Sequence, residues 1–455
     1  MTKAVPNHRR IWGWMMFDWA SQPYATLLTT FIFAPFFAEV VTTSLIKDGM
    51  DQAAAGAKAQ AYWGYGLTIT GLCIAFLAPI LGAVADAAGR RLPWIWLFSV
   101  IYFIGACGLW YTHPDGFNIP LILAFFGLGL FGAEFALIFT NAMLPSLGSK
   151  EQMGRISGTG WALGYVGGVT ALALTLVFLA ENANGVTLTG SAPVFGLDPD
   201  LREGTRSVGP LTAVWFAVFM IPFFIWVKEP APDKPVRFKL NVALRDLMKT
   251  IKALPNNRSL AAYLGSSMFY RDALNGLYTF GGIYALGVLG WSVVEVGVFG
   301  ITAAITGAIF AYIGGHADAR FGPKPVINTS IIMLLIACLA IVSISRSSIM
   351  GIVLPEGSSL PDILFYICGA IIGGAGGALQ SASRTMLVRQ ANPKRLTEAF
   401  GLFALAGRAT SFIAPAAIAI ASDVSGSQRI GIMPLIALFL IGFVLLRYVK
   451  SDNTE

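Results

Sequence analysis

The first stretch that could carry chemistry is an aspartate inside an apolar run. Asp18 belongs to the sequence FDWASQPYATLL and is followed by mostly apolar residues through Val41. A charged side chain at the centre of a membrane helix costs roughly 2.5 to 3.5 kcal/mol, so a carboxylate kept there suggests ion or solute binding. A plainer alternative is an N-cap at the membrane interface, because aspartate favours helix starts.

A second copy of this pattern favours the functional interpretation. Asp272 follows Arg271 in another apolar run, and a tyrosine lies six residues after the aspartate in both copies, at Tyr24 and Tyr278. An amide side chain lies between the aspartate and the tyrosine in each copy: Gln22 and Asn275. The chain is therefore predicted to consist of two related halves.

Two further ionisable residues in the apolar runs, Glu134 and Arg408, complete a set of three carboxylates and two guanidiniums. The unpaired negative charge favours binding of a coupling proton by Asp18, Glu134 or Asp272 in low-dielectric surroundings, and Na⁺ or the ammonium of a solute would satisfy the same count. The planar forks of Arg271 and Arg408 suit a solute carboxylate. A structural ion pair with Asp18 or Glu134 is the alternative. Because Arg271 and its neighbour Asp272 point about 100° apart on a helix, we expect them to serve different partners.

The remaining site candidates are polar or aromatic side chains near these charges. Asn141 lies two turns after Glu134, and Trp161 and Tyr165 lie one turn apart, where packing is the alternative to lining a cavity. Near the end of a later apolar run, the one-turn spacing of Gln380, Ser383 and Arg384 predicts either a gate beside the cavity or a surface anchor of that helix. The remaining candidate is Tyr270, which directly precedes Arg271.

The composition describes a protein that crosses a membrane many times. Of the 455 residues, 56% are hydrophobic and 12% are charged, and the mean hydropathy is +0.69. The 50 glycines, which recur every four residues in two of the apolar runs, predict close helix packing. The four cysteines and three histidines lack metal-ligand or catalytic spacing, and no Walker-type glycine loop is present. We therefore expect no metal, no cofactor and no enzyme activity.

Twelve segments are long enough to cross a bilayer. They predict an all-α membrane protein with two pseudo-symmetric six-helix bundles, residues 1–227 and 259–455, joined by a basic cytoplasmic linker at 228–258. The predicted spans are 12–41, 61–85, 92–110, 119–144, 156–180, 209–227, 260–289, 293–315, 326–345, 361–387, 400–421 and 430–448. Four apolar linker residues share one helical face and predict an amphipathic helix on the membrane surface, with a solvated tether as the alternative. They are Leu244, Leu247, Met248 and Ile251.

The basic residues predict the orientation of these spans. With both termini in the cytoplasm, 23 of the 31 Lys and Arg residues lie on the cytoplasmic side and 6 lie on the other, while Arg271 and Arg408 lie within spans. This asymmetry follows the positive-inside rule. The net charge of +7 therefore reflects orientation, and we expect membrane lipids rather than nucleic acid as partners.

A repeated motif after the second span of each half predicts a latch at the cytoplasmic surface. A carboxylate at a helix end, a glycine turn and two cations suit a charge-paired contact between helices. In the first copy these residues are Gly82, Asp86, Gly89, Arg90 and Arg91. The second copy has one extra residue between the aspartate and the glycine, and its residues are Asp318, Gly322 and Lys324.

The motif resembles the loop motif of the major facilitator superfamily, Gly-x-x-x-Asp-x-x-Gly-Arg-Lys/Arg. Within that superfamily, FDWASQPYAT, SGTGWALGYVGG, FYRDALNGLYTFGGIYA and GGALQSASRTMLV resemble the branch that contains the yeast autophagy-related vacuolar amino-acid effluxer and its bacterial relatives. The resemblance implies a monomeric secondary transporter that uses alternating access in a bacterial inner membrane. It also suggests a small polar or zwitterionic, amino-acid-like solute.

Two observations limit what such a transporter would carry. The chain lacks the span-4 arginine and the fifth-span Gly-Pro pair of many proton-coupled antiporters, so drug–proton exchange is not expected. A lipid or lysolipid translocator of the same fold remains the alternative, because a cavity with few charges and many aromatic residues could accept an amphiphile. A membrane-embedded enzyme is the least supported class.

Overall fold

The computed structural model is almost entirely helical. It describes residues 8–182, 184–229, 240–291, 293–355, 357–425 and 427–451. Helices satisfy their own backbone hydrogen bonds, which a bilayer cannot do for them, and this explains why an apolar chain of this length adopts them. A short hairpin also occurs, in which β1 (Ser348–Ile349) pairs with antiparallel β2 (Ile352–Val353).

The first half of the chain supplies the predicted spans one to six. Spans one and six are each interrupted, since α1 and α2 form span one and α7 to α9 form span six. The helices are α1 (His8–Pro23), α2 (Phe33–Lys47), α3 (Gln52–Ala88), α4 (Leu92–Gly108), α5 (Ile119–Asn141), α6 (Lys150–Phe178), α7 (Glu203–Arg206), α8 (Val208–Phe219) and α9 (Ile221–Trp226).

The second half supplies the linker helix and the predicted spans seven to twelve. Span eleven is divided into α15 and α16. The helices are α10 (Leu240–Ala253), α11 (Arg258–Val288), α12 (Val293–Phe321), α13 (Pro323–Ser343), α14 (Leu360–Gln390), α15 (Leu396–Ala409), α16 (Ile413–Ser425), α17 (Gln428–Gly431) and α18 (Met433–Arg447).

Eleven helical stretches of the described residues are long and apolar enough to cross a membrane. The predicted seventh span corresponds to α11, which has 31 residues but does not belong to this set. Arg271, Asp272 and Asn275 lower its mean hydropathy. This helix, with two charged side chains and an amide at its centre, therefore departs from the composition of an ordinary span.

The first span bends at a π-helical segment, Tyr24–Phe31, directly after Pro23. Within it, Thr30 Oγ1 donates to Ala25 O at 2.9 Å, and the Ile32 amide donates to Leu27 O at 3.0 Å, five residues back. Wider turns of this kind reposition side chains that follow a proline. The bend thus separates the Asp18 part of span one from its second part, α2.

The predicted linker is described in part. Its residues 230–239 and the side chain of Leu244 lie outside the described set. Helix α10 spans most of the predicted amphipathic segment, with Leu247 buried and Met248 exposed. Thr250 Oγ1 accepts a hydrogen bond from Arg395 Nη1 at 2.8 Å, which ties α10 to the start of α15. The membrane-surface position of this helix stays a prediction.

The chain forms two compact units. The first comprises Met1–Leu77, Gly89–Thr140 and Leu163–Val236, and the second comprises Ala78–Ala88, Asn141–Ala162 and Arg237–Glu455. The second unit thus includes the end of α3 and the start of α6, which the sequence predicts to be cytoplasmic.

Each unit has its own tightly packed core. In the first, Tyr102 stacks on Phe216 with ring centroids 4.0 Å apart. In the second, α12 and α14 approach at glycines: a methyl group added at Gly373 would lie 2.0 Å from Ala303 O, too close for any side chain. The predicted glycine stripe of span ten is therefore a packing surface.

Candidate functional site

Asp18 lies in a tight contact between α1 and α6 of the first unit. Asp18 is 8% exposed. A methyl group at Gly164 would be 3.3 Å from Asp18 O, and one at Gly168 would be 2.9 Å from Cγ of Gln22. The small residues of α6 therefore allow the polar stretch of span one to approach a neighbouring backbone.

Tyr24 is a buried packing residue in the first unit. It is 2% exposed, and its hydroxyl donates to Phe126 O of α5 at 2.5 Å. Its ring also lies edge-on to Tyr102, with centroids 5.1 Å apart. This tyrosine thus anchors the π-helical segment, and its predicted contact with a solute stays a prediction.

The other candidates on α5 and α6 are partly accessible. Glu134, Asn141, Trp161 and Tyr165 are each half-buried. The first two lie on the same helix, α5, as the sequence predicts. In the second unit, the Arg384 guanidinium lies 5.4 Å from the centroid of the Trp161 ring, a cation–π contact.

A chain of buried hydroxyl groups joins α11 to α14 in the second unit. Ser383 Oγ donates to Leu379 O at 2.6 Å, so Tyr270, whose hydroxyl lies 2.8 Å from Ser383 Oγ, is the donor to that oxygen. Tyr263 donates to Ser383 O at 2.6 Å. Ser383 and Tyr270 are thereby committed to helix packing, while Gln380 and Arg408 are half-buried.

Arg271 and Asp272 contact different helices, as their 100° separation predicts. Arg271 Nη1 donates to Phe403 O of α15 at 2.9 Å, and its guanidinium lies 4.1 Å from the centroid of the Phe403 ring. Asp272 is 3% exposed and accepts the amide of Ala414 in α16 at 2.9 Å.

One face of α11 is polar and accessible. Arg271, Asn275 and Tyr278 follow the i, i+4, i+7 spacing of a single helical face. Arg271 is half-buried, Asn275 is exposed and Tyr278 is 43% exposed. Polar side chains in a span usually face the protein interior or a water-filled cavity rather than lipid. This polar face of α11 is therefore the best candidate for a surface that contacts a solute.

The first latch joins α3 to the start of α15 within the second unit. Asp86 accepts Thr397 Oγ1 at 2.6 Å and the amide of Glu398 at 2.8 Å. A carboxylate at a helix N-terminus satisfies a backbone donor and complements the helix dipole. Gly82 permits the approach, because a methyl group there would lie 2.5 Å from Thr397 O.

The cations of the first motif lie beyond this cap. Gly89 has φ +69°, which confirms the predicted tight turn. Arg90 is exposed. The amide of Arg91 donates to Glu229, with N–O distances of 3.0 and 2.8 Å, so Glu229 caps the start of α4 in the first unit.

The second latch uses different partners. Asp318 is fully buried and accepts a hydrogen bond from the Thr385 hydroxyl of α14. Arg389 Nη2 lies 4.0 Å from its other oxygen. A methyl group at Gly154 of α6 would lie 2.7 Å from the Asp318 carboxyl carbon. Gly322 has φ +83°, and Lys324 Nζ donates to Val449 O at 2.5 Å.

Sequence reasoning missed several residues that complete these contacts. Thr397 and Glu398 lie in the first turn of α15, where an acidic residue is a recognisable sign of a helix start. Glu39 of α2 belongs to none of the predicted motifs, but its Oε1 lies 3.0 Å from Arg202 Nη1, and Arg202 Nε lies 3.1 Å from Oε1 of the buried Glu181. Among the described residues there is no group of three His, Cys, Asp or Glu that could hold a metal.

The fold matches solved transporter structures along almost the whole chain. The major facilitator superfamily proton:xylose symporter XylE gives a TM-score of 0.70 at 10% identity and covers 98% of this chain and 96% of its own. The human organic anion transporter MFSD10 gives 0.69 at 14% identity, over 97% and 100% of the two chains. The protein therefore has the major facilitator fold, which confirms the predicted all-α membrane architecture.

Within this class, the chain belongs to the vacuole effluxer Atg22 like family, whose model matches residues 6–455. The uncharacterized MFS-type transporter YxiO of Bacillus subtilis (strain 168) is 24% identical over 445 residues, 97% of this chain and 95% of that protein. Autophagy-related protein 22 of Cryptococcus neoformans var. neoformans serotype D is 25% identical over 310 residues. That match covers 66% of this chain and 51% of the fungal protein, so the chain spans about half the length of such relatives. The protein is a membrane transporter and not an enzyme.

The close glycine contacts of the first latch predict a stability difference between variants. In Gly82→Ala and Gly401→Ala the new methyl group would lie 2.5 Å from Thr397 O and 2.4 Å from Ala78 O, respectively. Overpacking of this kind costs about 1–3 kcal/mol, so both variants should lower the midpoint of thermal unfolding in detergent. Gly56→Ala is the control in α3, since nothing lies within 4 Å of its added carbon. A Gly82→Ala midpoint equal to that of Gly56→Ala would contradict the close packing.

Proposed function

We propose that this transporter moves a small polar or zwitterionic, amino-acid-like solute by alternating access. The observation that carries the proposal is the polar face of α11, formed by Arg271, Asn275 and Tyr278. A guanidinium, an amide and a phenol on one accessible face of a span offer donors to a carboxylate and an acceptor to an ammonium group. Family membership supports the transport class, and the chemistry of this face supports the solute class.

The proposed solute class predicts carrier activity toward amino acids. Purified full-length protein in proteoliposomes loaded with unlabelled amino acids should take up the same labelled amino acid by counterflow, which requires no knowledge of the coupling ion. Vesicles without protein and vesicles loaded with a neutral sugar are the controls. If folded protein exchanges no amino acid but moves a fluorescent lysolipid between leaflets, the solute class is wrong and the lipid alternative takes its place.

The polar face of α11 predicts the effect of one substitution. Asn275 is an exposed position of α11, so Asn275→Ala should leave the thermal midpoint unchanged. Loss of one hydrogen bond to the solute, worth about 1 kcal/mol, should raise the half-saturating solute concentration about fivefold in counterflow. Asn328→Ala, the same change at a half-buried position of α13, is the matched control. Equal concentrations for both variants would remove Asn275 from the site.

We also propose that a proton is the coupling ion and that Asp18 or Glu134 carries it. Both carboxylates lie within spans of the first unit, while Asp272 already accepts a backbone amide. The spans contain three carboxylates and two guanidiniums, and surroundings that exclude water favour proton binding by a carboxylate.

Proton coupling predicts that one neutral variant separates exchange from accumulation. In Asp18→Asn or Glu134→Gln, counterflow should persist while accumulation driven by a pH gradient is lost, because exchange can proceed without release of the proton. Asp200→Asn, at an exposed loop position, should keep both activities. If both span variants still accumulate solute against the gradient, neither carboxylate carries the coupling proton.

A further inference from the structure

The eleventh span is broken near its middle. Helix α15 ends at Ala409 and α16 begins at Ile413, with a turn at residues 410–412 between them. A break inside a membrane exposes carbonyls of the first segment and amides of the second, and hydrocarbon offers them no partners. The break is therefore stable only where the protein supplies those hydrogen bonds.

Most backbone groups at the break find partners within the segment itself. The Ile413 amide donates to Thr410 O at 2.8 Å, and the Ala416 amide donates to Phe412 O at 3.0 Å. Pro415 has no amide hydrogen, which suits a position in the first turn of a helix. These contacts leave one donor of the first turn, the amide of Ala414, to be satisfied from elsewhere.

Asp272 of α11 supplies that partner. Its Oδ2 accepts the Ala414 amide at 2.9 Å, and the residue is 3% exposed. An N-cap side chain normally performs this role, but the residue before α16 is Phe412, which has no side-chain acceptor and is 67% exposed. The carboxylate also lies at the positive end of the α16 dipole. Asp272, which belongs to a different span, therefore acts as the N-cap of α16.

Arg271 makes the complementary contact on the other side of the break. Its guanidinium donates to Phe403 O and packs so close to α15 that a methyl group at Gly407 would lie 2.7 Å from Nη1. Gly407 belongs to the last turn of α15, where the helix dipole favours a cation. Phe403 lies six residues before the end of α15, so Arg271 contacts the C-terminal half of one segment while Asp272 caps the N-terminus of the other.

We propose that Asp272 is a positioning residue that caps α16 and, with Arg271, holds the two segments of span eleven in register across their break. Any movement of α11 in the transport cycle is then transmitted to both segments. The carboxylate acts here as a hydrogen-bond acceptor for the backbone, and this role does not depend on which solute is carried.

The test compares substitutions that separate the acceptor from the charge. Asp272→Asn keeps an oxygen for the Ala414 amide, and asparagine is a good N-cap, whereas Asp272→Ala removes the acceptor. In amide hydrogen exchange of the full-length protein, the peptide containing Ala414 should exchange about tenfold faster in Asp272→Ala and near the wild-type rate in Asp272→Asn. Counterflow should fall in the same order. Asp423→Ala, an exposed position of α16, should change neither rate.

The opposite pattern would overturn the proposal. If Asp272→Asn and Asp272→Ala lose transport equally while the exchange of the Ala414 peptide stays at the wild-type rate, the charge of Asp272 is what matters and the cap is incidental. The exchange measurement needs no substrate, so it is decisive even if no amino acid is transported.

A second variant covers the case in which Asp272→Ala does not fold. Phe412→Ser places a hydroxyl at the N-cap position of α16, where it can accept the amides of the first turn from within the segment. Added to Asp272→Ala, it should restore folded, monodisperse protein or, where the single variant folds, the slow exchange of the Ala414 peptide. Failure of Phe412→Ser to restore what Asp272→Asn retains would contradict capping as the role of Asp272.

Discussion

The absence of water from the bilayer core is the constraint on which this structure depends. Every polar group placed in a span must find its partner inside the protein, because an unsatisfied backbone group costs several kcal/mol there. The observed partners are often backbone carbonyls, which belong to the same helix for many Ser and Thr side chains and to another helix for several aromatic ones. Trp14 Nε1 donates to Thr140 O at 2.7 Å, and Tyr263 donates to Ser383 O at 2.6 Å. Side chains whose type suggests binding or catalysis in the sequence thus often join helices by hydrogen bonds.

Close backbone approach makes those hydrogen bonds reachable. Lipid tails are as apolar as the helix surfaces, so helix association in a membrane relies on packing and hydrogen bonding rather than on exclusion of water. Glycines at the contacts of α3 with α15, and of α6 with α1, bring one backbone within reach of a side chain on its neighbour. Asp86 can cap α15 because Gly82, one turn earlier on α3, lets the helices touch. The same glycine positions therefore allow close helix packing and bring polar groups within hydrogen-bonding distance of their partners.

The sequence predicted the fold well because the lengths of the apolar segments and a few motifs largely determine a helical membrane fold. A span needs about 20 apolar residues, and the loop motif with Asp86 identified the superfamily. The same reasoning predicted that Arg271 and Asp272 serve different partners, since helix geometry alone separates neighbours by 100°. It did not find what those partners are. Ala414 lies 142 residues from Asp272, and no local pattern of residue types encodes that distance.

The break in span eleven shows where local patterns lose their information. Pro415 signals a disturbance in the helix, because it lacks an amide and clashes with the preceding turn. The residue at the N-cap position of α16, Phe412, has no side-chain hydrogen-bond acceptor, so the local sequence disfavours a helix start there. In the folded protein, the carboxylate of Asp272, from another span, supplies the missing hydrogen-bond acceptor. For the same reason, the sequence predicts a cation as the partner of Asp86. The structure adds a second partner, the N-terminus of α15, which is far from Asp86 in the sequence.

The two halves repeat a sequence pattern but use it differently, and this difference bears on mechanism. Tyr24 is 2% exposed and bonded to α5, whereas Tyr278 is 43% exposed on the polar face of α11. Asp18 packs against an uninterrupted helix, α6, and Asp272 caps a broken one. Because Tyr24 packs against α5 and Asp272 caps α16, the repeated pattern provides no equivalent pair of positions in the two halves, and each copy of the pattern has a different structural role.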